Sequence, residues 1–196
     1  MANDDFARGL VPLNTNGHGT VNSHYYQAST VTDLAIGMTL TLTNGRVSRA
    51  PVSGLAPLIG VALGFSKNKG ASNELAPWLD VSGLTSDDWY VQVADDPSQE
   101  FFIQEDTGGT ALTGTAAGAY TSGIVYQTTS IDTTSGIARA ELDASIALPG
   151  TDHQLHILRL HDYVNSDGTQ NAVGDYAKWV VQIASHQKGN ASDRVS

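Results

Sequence analysis

The chain has 196 residues, 40% of them hydrophobic and only 15% charged, with a formal net charge of −10 and no cysteine. That is enough apolar material for one domain with a real core, which excludes wholesale disorder, and the lack of cysteine excludes disulfides and thiolate chemistry. The 10 Lys and Arg residues are scattered along the chain, too dispersed to neutralise nucleic-acid phosphates or an anionic membrane surface.

Residues 1–27 read as an extended N-terminal arm. Pro12, Gly17 and Gly19 punctuate the arm, and neither a helical nor a strand period is sustained. It nevertheless carries Phe6, Leu10, Val11, Leu13, Tyr25 and Tyr26, which a purely solvated tail does not need. These side chains pack either on the arm's own domain or on a neighbouring subunit. The opening Met1-Ala2-Asn3-Asp4-Asp5-Phe6 lacks a basic and then apolar leader, and no stretch approaches the roughly 20 apolar residues of a spanning helix. The expectation is a chain made in a cytoplasm, with no membrane partner.

From residue 28 to 188 the pattern is β. Met38, Leu40 and Leu42 alternate with Thr39, Thr41 and Thr43, and Asn44-Gly45 then supplies a type I′ turn leading back through Val47. Leu58–Phe65 is a continuous apolar run, the signature of a buried strand. A short strand is expected at Trp78–Val81, then a pair at Trp89–Val93 and Glu100–Gln104 around the loop Asp95-Asp96-Pro97-Ser98. Between Thr107 and Gly136, where Gly, Ala, Thr and Ser dominate, Ile124–Tyr126 is the one strand expected. His153–His161 and Ala177–Ala184 are the last two, the second with Trp179, Val181 and Ile183 on one face, and Asn165-Ser166-Asp167-Gly168 turns between them. The polar end is expected to be frayed from Lys188, with residues 189–196 as a flexible tail.

The candidate chemistry is thin. His153 and His156 lie three apart in a strand pattern, which points them to opposite faces and prevents them from sharing a metal ion. Gly109–Gly114 has the glycine spacing of a phosphate loop, but Thr115-Ala116 stands where the lysine belongs. Asp87-Asp88 and Asp95-Asp96 are carboxylate pairs that a hydrolase or a calcium site would use. Each sits in a turn-like stretch where Asp more often bonds its own backbone. No catalytic, metal or cofactor-binding constellation emerges, and the expectation is a chain that is not an enzyme and needs no cofactor.

Certain stretches nonetheless form a recognisable order. Met1-Ala2-Asn3 and Gly9-Leu10-Val11-Pro12 lead to Tyr25-Tyr26, Ile36-Gly37 and Leu58-Ile59-Gly60-Val61-Ala62. Ser135–Asp143, Gln154–Leu160, Asn171-Ala172-Val173-Gly174, Ala177–Val181 and Ser185-His186-Gln187 follow. This order resembles a family of tailed-phage virion proteins regarded as capsid decoration, or cement, proteins. It departs from the family at Val11, where a basic residue is usual, and at the insertion Asn68–Leu79. The resemblance implies a virion structural protein on the outer surface of the assembled capsid, partnered by the major capsid protein and by itself as a homotrimer. Phe6, Leu10, Leu13, Tyr25 and Tyr26 are the expected contact residues.

The expected fold is therefore mainly β, a small barrel or sandwich with an extended N-terminal arm. The alternatives are a carbohydrate-binding module or fibre-type adhesin using exposed Trp78, Trp89 or Trp179, and a hydrolase using Asp87, Asp88, Asp95 or Asp96.

Overall fold

The computed structural model describes residues 3, 8–13, 21–29, 33–52, 56–67, 78–79, 89–106, 112, 120–131, 138–149 and 153–189. The described chain is almost entirely strand, in chain order β1 (Val11–Pro12), β2 (Ser23–Ala28), β3 (Leu34–Ala35), β4 (Thr39–Thr43), β5 (Arg46–Arg49), β6 (Gly60–Lys67), β7 (Trp78–Leu79) and β8 (Trp89–Ala94). Then come β9 (Glu100–Gln104), β10 (Tyr120–Ser122), β11 (Ile124–Ile131), β12 (Ala138–Leu142), β13 (Leu148–Pro149), β14 (Leu155–Leu160) and β15 (Lys178–Ile183), with one 3-10 turn at Ala144–Ile146.

Five strands close a barrel in the order β2-β5-β4-β6-β8, and closure leaves no unpaired edge. Its best-specified piece is the β4–β5 hairpin, where Thr43 pairs with Arg46 across a two-residue loop. Asn44 and Gly45 both hold positive φ, 51° and 79°, as a type I′ turn demands. The barrel interior is filled by Ala28, Leu40, Val47, Ala62, Phe65, Val91 and Val93, so it is a packed core and not a pore. A register shift between Ala62 and Gly64 marks an irregularity in the β6–β8 pairing, the kind that bends a strand around a tight cylinder.

Against the outside of the barrel lies a six-stranded sheet in the order β1-β9-β15-β14-β10-β13. Phe101, Ile103, Leu155, Ile157, Trp179, Val181 and Ile183 from the sheet form one cluster with Leu58, Val61 and Ala94 of the barrel side. β6 is thus covered on both faces, its Ala62 and Phe65 turned into the barrel and its Val61 toward the sheet. Double burial explains why this segment reads as a continuous apolar run rather than an alternation.

The arm and the domain are not separate bodies. β1 is the edge strand of the sheet, paired with β9 through Val11 and Phe102. β2 is a stave of the barrel, antiparallel to β8 and parallel to β5. The boundary drawn between residues 27 and 28 therefore falls inside a strand. Further corrections concern β10 and β13, too short to show a period, β12, whose alternation rests mostly on alanine, and β11, which runs on to Ile131.

Three well-separated stretches meet where the arm enters. Leu10 N–H donates to the Gly37 carbonyl at 2.8 Å, and Gly37 N–H donates to the Ala62 carbonyl at 2.9 Å. Gly9 and Gly37 cross so closely that a Cβ on Gly37 would lie 2.4 Å from the Arg8 carbonyl oxygen, and both hold positive φ. Glycine at this crossing is required both by conformation and by space.

Candidate interaction site

On β2 the side chains alternate. His24 and Tyr26 share a side, and Tyr25 faces the other. Tyr26 packs against the barrel interior, and its hydroxyl donates to Asp95 Oδ2 at 2.6 Å. Asp95, just past the end of β8, is buried and also bonds His24 Nδ1 at 2.8 Å and Lys188 Nζ. One buried carboxylate at the start of the loop after β8 thus gathers donors from the arm and from the C-terminal segment. Burial pulls its pKa upward, but the hydrogen bonds from Lys188, Tyr26 and His24 outweigh that and hold it below the usual carboxylate value. Burial works to lower the Lys188 pKa, and the bond to Asp95 reverses this, leaving it raised.

The next residue, Asp96, follows the turn chemistry expected of it. Its Oδ1 accepts from the Ser98 N–H and hydroxyl, and its Oδ2 accepts from Asn22 Nδ2 at 2.9 Å. The Ser98 and Asn22 bonds hold its pKa down at about 2. Buried Gln99 donates to the carbonyls of Leu13 and Glu100, while Leu13 N–H donates to the Glu100 carbonyl. The loop from Asp95 to Gln99 is therefore the seat that holds Leu13 and Tyr26.

Not every expected contact residue belongs there. Leu10 is 1% exposed and packs in the cluster between barrel and sheet, so it is a core residue, inaccessible to a partner. Tyr26 is half-buried and engaged with Asp95, leaving Tyr25 and Leu13 as the half-exposed members. Phe6, Asp87 and Asp88 lie outside the described residues. The chain is not frayed at Lys188. Leu58 N–H donates to the Ser185 carbonyl, Gln187 N–H to the Leu58 carbonyl, and the Gln187 side chain grips both the N–H and the carbonyl of Leu42.

Chemically, this cluster ties chain segments together. Asp95 fixes the exposed His24 ring through Nδ1, as an orienting carboxylate does. No hydroxyl or second acid among the described residues is seen hydrogen-bonded to that ring to act as its partner. A second feature escaped the sequence reading: Val164 and Val173, 55% and 45% exposed, stand on the β14–β15 connection, which begins at His161, whose ring lies tilted against Phe102 of β9 with a 4.9 Å centroid separation. Of the tryptophans, Trp179 is wholly buried and Trp89 packs partly against the barrel core, which removes Trp179 as a sugar platform. His153 precedes β14 and hydrogen-bonds the Thr121 carbonyl.

No protein-family model, no curated protein and no solved structure matches this chain.

Proposed function

We propose that the chain is a virion structural protein, a capsid decoration or cement protein that binds the outer surface of an assembled phage head and stabilises it. The observation that carries the reading is where the family-like stretches lie in the fold. Gly9-Leu10, Ile36-Gly37 and Ala62 meet at one crossing. Ser185-His186-Gln187 runs beside Leu58, and Asn3 bonds the backbone of Ala172 and Asp175. Each is a junction between distant segments, which supports reading the resembling residues as parts of one architecture.

The mechanism is linkage. A protein that binds the assembled shell, and not loose subunits, stabilises the shell by mass action. A homotrimer touching several copies of the major capsid protein gains through effective concentration what a single small patch lacks. The net charge of −10 suits a position away from packaged nucleic acid. Among the described residues, Tyr25 and Leu13 are the contact residues that remain accessible.

Mixing the protein with expanded, undecorated heads and sedimenting them tests the proposal. Saturable co-sedimentation, weakened by Tyr25→Ala, is expected. Protein left wholly in the supernatant at every ratio rejects it.

A further inference from the structure

Glu105 follows directly on β9, its N–H donating to the Ala177 carbonyl at 2.8 Å. Its side chain is completely buried yet doubly engaged. Oε2 accepts from the Trp179 indole N–H at 2.7 Å, and Oε1 accepts from the Leu112 backbone N–H at 2.7 Å. Leu112 and Trp179 are themselves members of the main apolar cluster. This carboxylate is therefore the polar pin between the core tryptophan and the backbone at residue 112.

Among the described residues, the carboxylates nearest to it add to its charge and do not compensate it. Asp106, next in sequence, accepts from Ala144 N–H, and Asp175 lies in the β14–β15 connection. Both act on Glu105 with the same sign as its own charge. On β12, Glu141 accepts from Gln104, and Lys178 of β15 stands opposite Gln104. Alternation along β9 turns Gln104 to the other face of the sheet from Glu105.

We propose that Glu105 is a proton-operated clamp, holding the Trp179 indole and the Leu112 amide together as a carboxylate and giving up one of them on taking up a proton. The reason is the count of acceptors. A carboxylate offers strong acceptor lone pairs on both oxygens to the two N–H donors, whereas a carboxylic acid keeps a strong acceptor only on its carbonyl oxygen and its O–H oxygen accepts weakly. Opposing this, burial penalises the charge. Burial raises the Glu105 pKa to about 7, against the lowering effect of the Trp179 and Leu112 bonds. The exchange of one state for the other thus falls near neutrality.

The sign differs between the two consequences. Because the folded pKa lies above the unfolded one, the native state binds the proton more tightly, and this group's contribution to global stability falls as pH rises from about 4.5 to about 7. The local hold on Leu112 strengthens over the same interval. Global unfolding and local opening at residue 112 therefore respond to pH in opposite directions.

NMR of the full chain from about pH 5 to about pH 9 tests this, following the Trp179 indole N–H and the Leu112 amide in the native protein and in Glu105→Gln. Both signals are expected to titrate together with a midpoint near 7 in the native chain and to be flat in the variant. Flat signals in the native chain, or a titration that survives in the variant, overturn the proposal. Should the variant fail to fold, the Glu105 side-chain carboxyl carbon of the native protein decides the matter. A midpoint near 7 supports the clamp, and one below about 5 rejects it.

Discussion

Replacing Gly37 by alanine puts the junction between arm, barrel and sheet under direct test. Gly37 sits at φ +84°, and forcing an L-residue into the left-handed region costs about 1–2 kcal/mol. The new Cβ would also stand 2.4 Å from the Arg8 carbonyl oxygen and 3.1 Å from Gly9 Cα, both backbone atoms that cannot swing aside. The segment bearing Leu10 must then move. That breaks the 2.8 Å bond from Leu10 N–H to Gly37 and draws Leu10 out of the core, where its burial contributes roughly 1.5–3 kcal/mol. The expected total is roughly 3–5 kcal/mol, a large part of a typical domain's stability. Gly45→Ala is the matched control, because φ there is +79° but nothing lies within 4 Å of the added carbon; only the conformational cost of about 1–2 kcal/mol applies. Urea unfolding of both variants gives the comparison. Equal losses of stability would refute the account of a packed crossing at Gly9 and Gly37.

Three further predictions separate the roles assigned to other residues. Leu10→Ala should destabilise the chain by about 2–5 kcal/mol, while Tyr25→Ala should leave urea stability within about 0.5 kcal/mol and weaken only shell binding; the reverse pattern would exchange their roles. Asp96 has its folded pKa lowered to about 2, so its contribution to stability is present above the unfolded value and is lost as pH falls from about 4 to about 2. Asp96→Asn should flatten the acid limb of a stability–pH curve over that interval and leave the limb above it unchanged. Gln187→Ala removes both side-chain bonds to the Leu42 backbone, and hydrogen exchange at the Leu42 amide should accelerate by roughly tenfold, equivalent to about 1.4 kcal/mol of local opening.

The parts of the fold that were legible in the sequence are those specified over short distances. Asn44-Gly45 between alternating strands announces its own turn, and Glu100–Gln104 is bounded by turn residues on its N-terminal side and proves to be β9. The apolar run at Leu58–Phe65 identifies a strand buried on both faces without saying what covers it. By contrast, β12 reads Ala-Arg-Ala-Glu-Leu, with Glu141 buried through its bond from Gln104. Its apolar positions do alternate, but two of the three are alanine, which buries too little surface to announce a strand.

The candidate site was legible only in fragments for a related reason. Asp95 and Lys188 are 93 residues apart, and the closing β2–β5 pair is parallel and non-local. Nothing in the local pattern of Tyr25-Tyr26 reveals that one ring closes the barrel and the other faces outward. Turn chemistry correctly anticipates Asp96, which bonds Ser98. It does not anticipate Asp95, whose partners come from both ends of the chain. Leu10 shows the same limit: an apolar residue in an irregular segment reads equally well as a docking side chain or as a piece of the core.

The most direct measurement of the central claim is the heat-induced disassembly of expanded phage heads, followed by calorimetry with and without saturating protein. Binding restricted to assembled shell predicts that the shell transition moves upward with protein concentration and that Tyr25→Ala shifts the concentration dependence. A shell transition indifferent to the protein at every concentration would contradict the account.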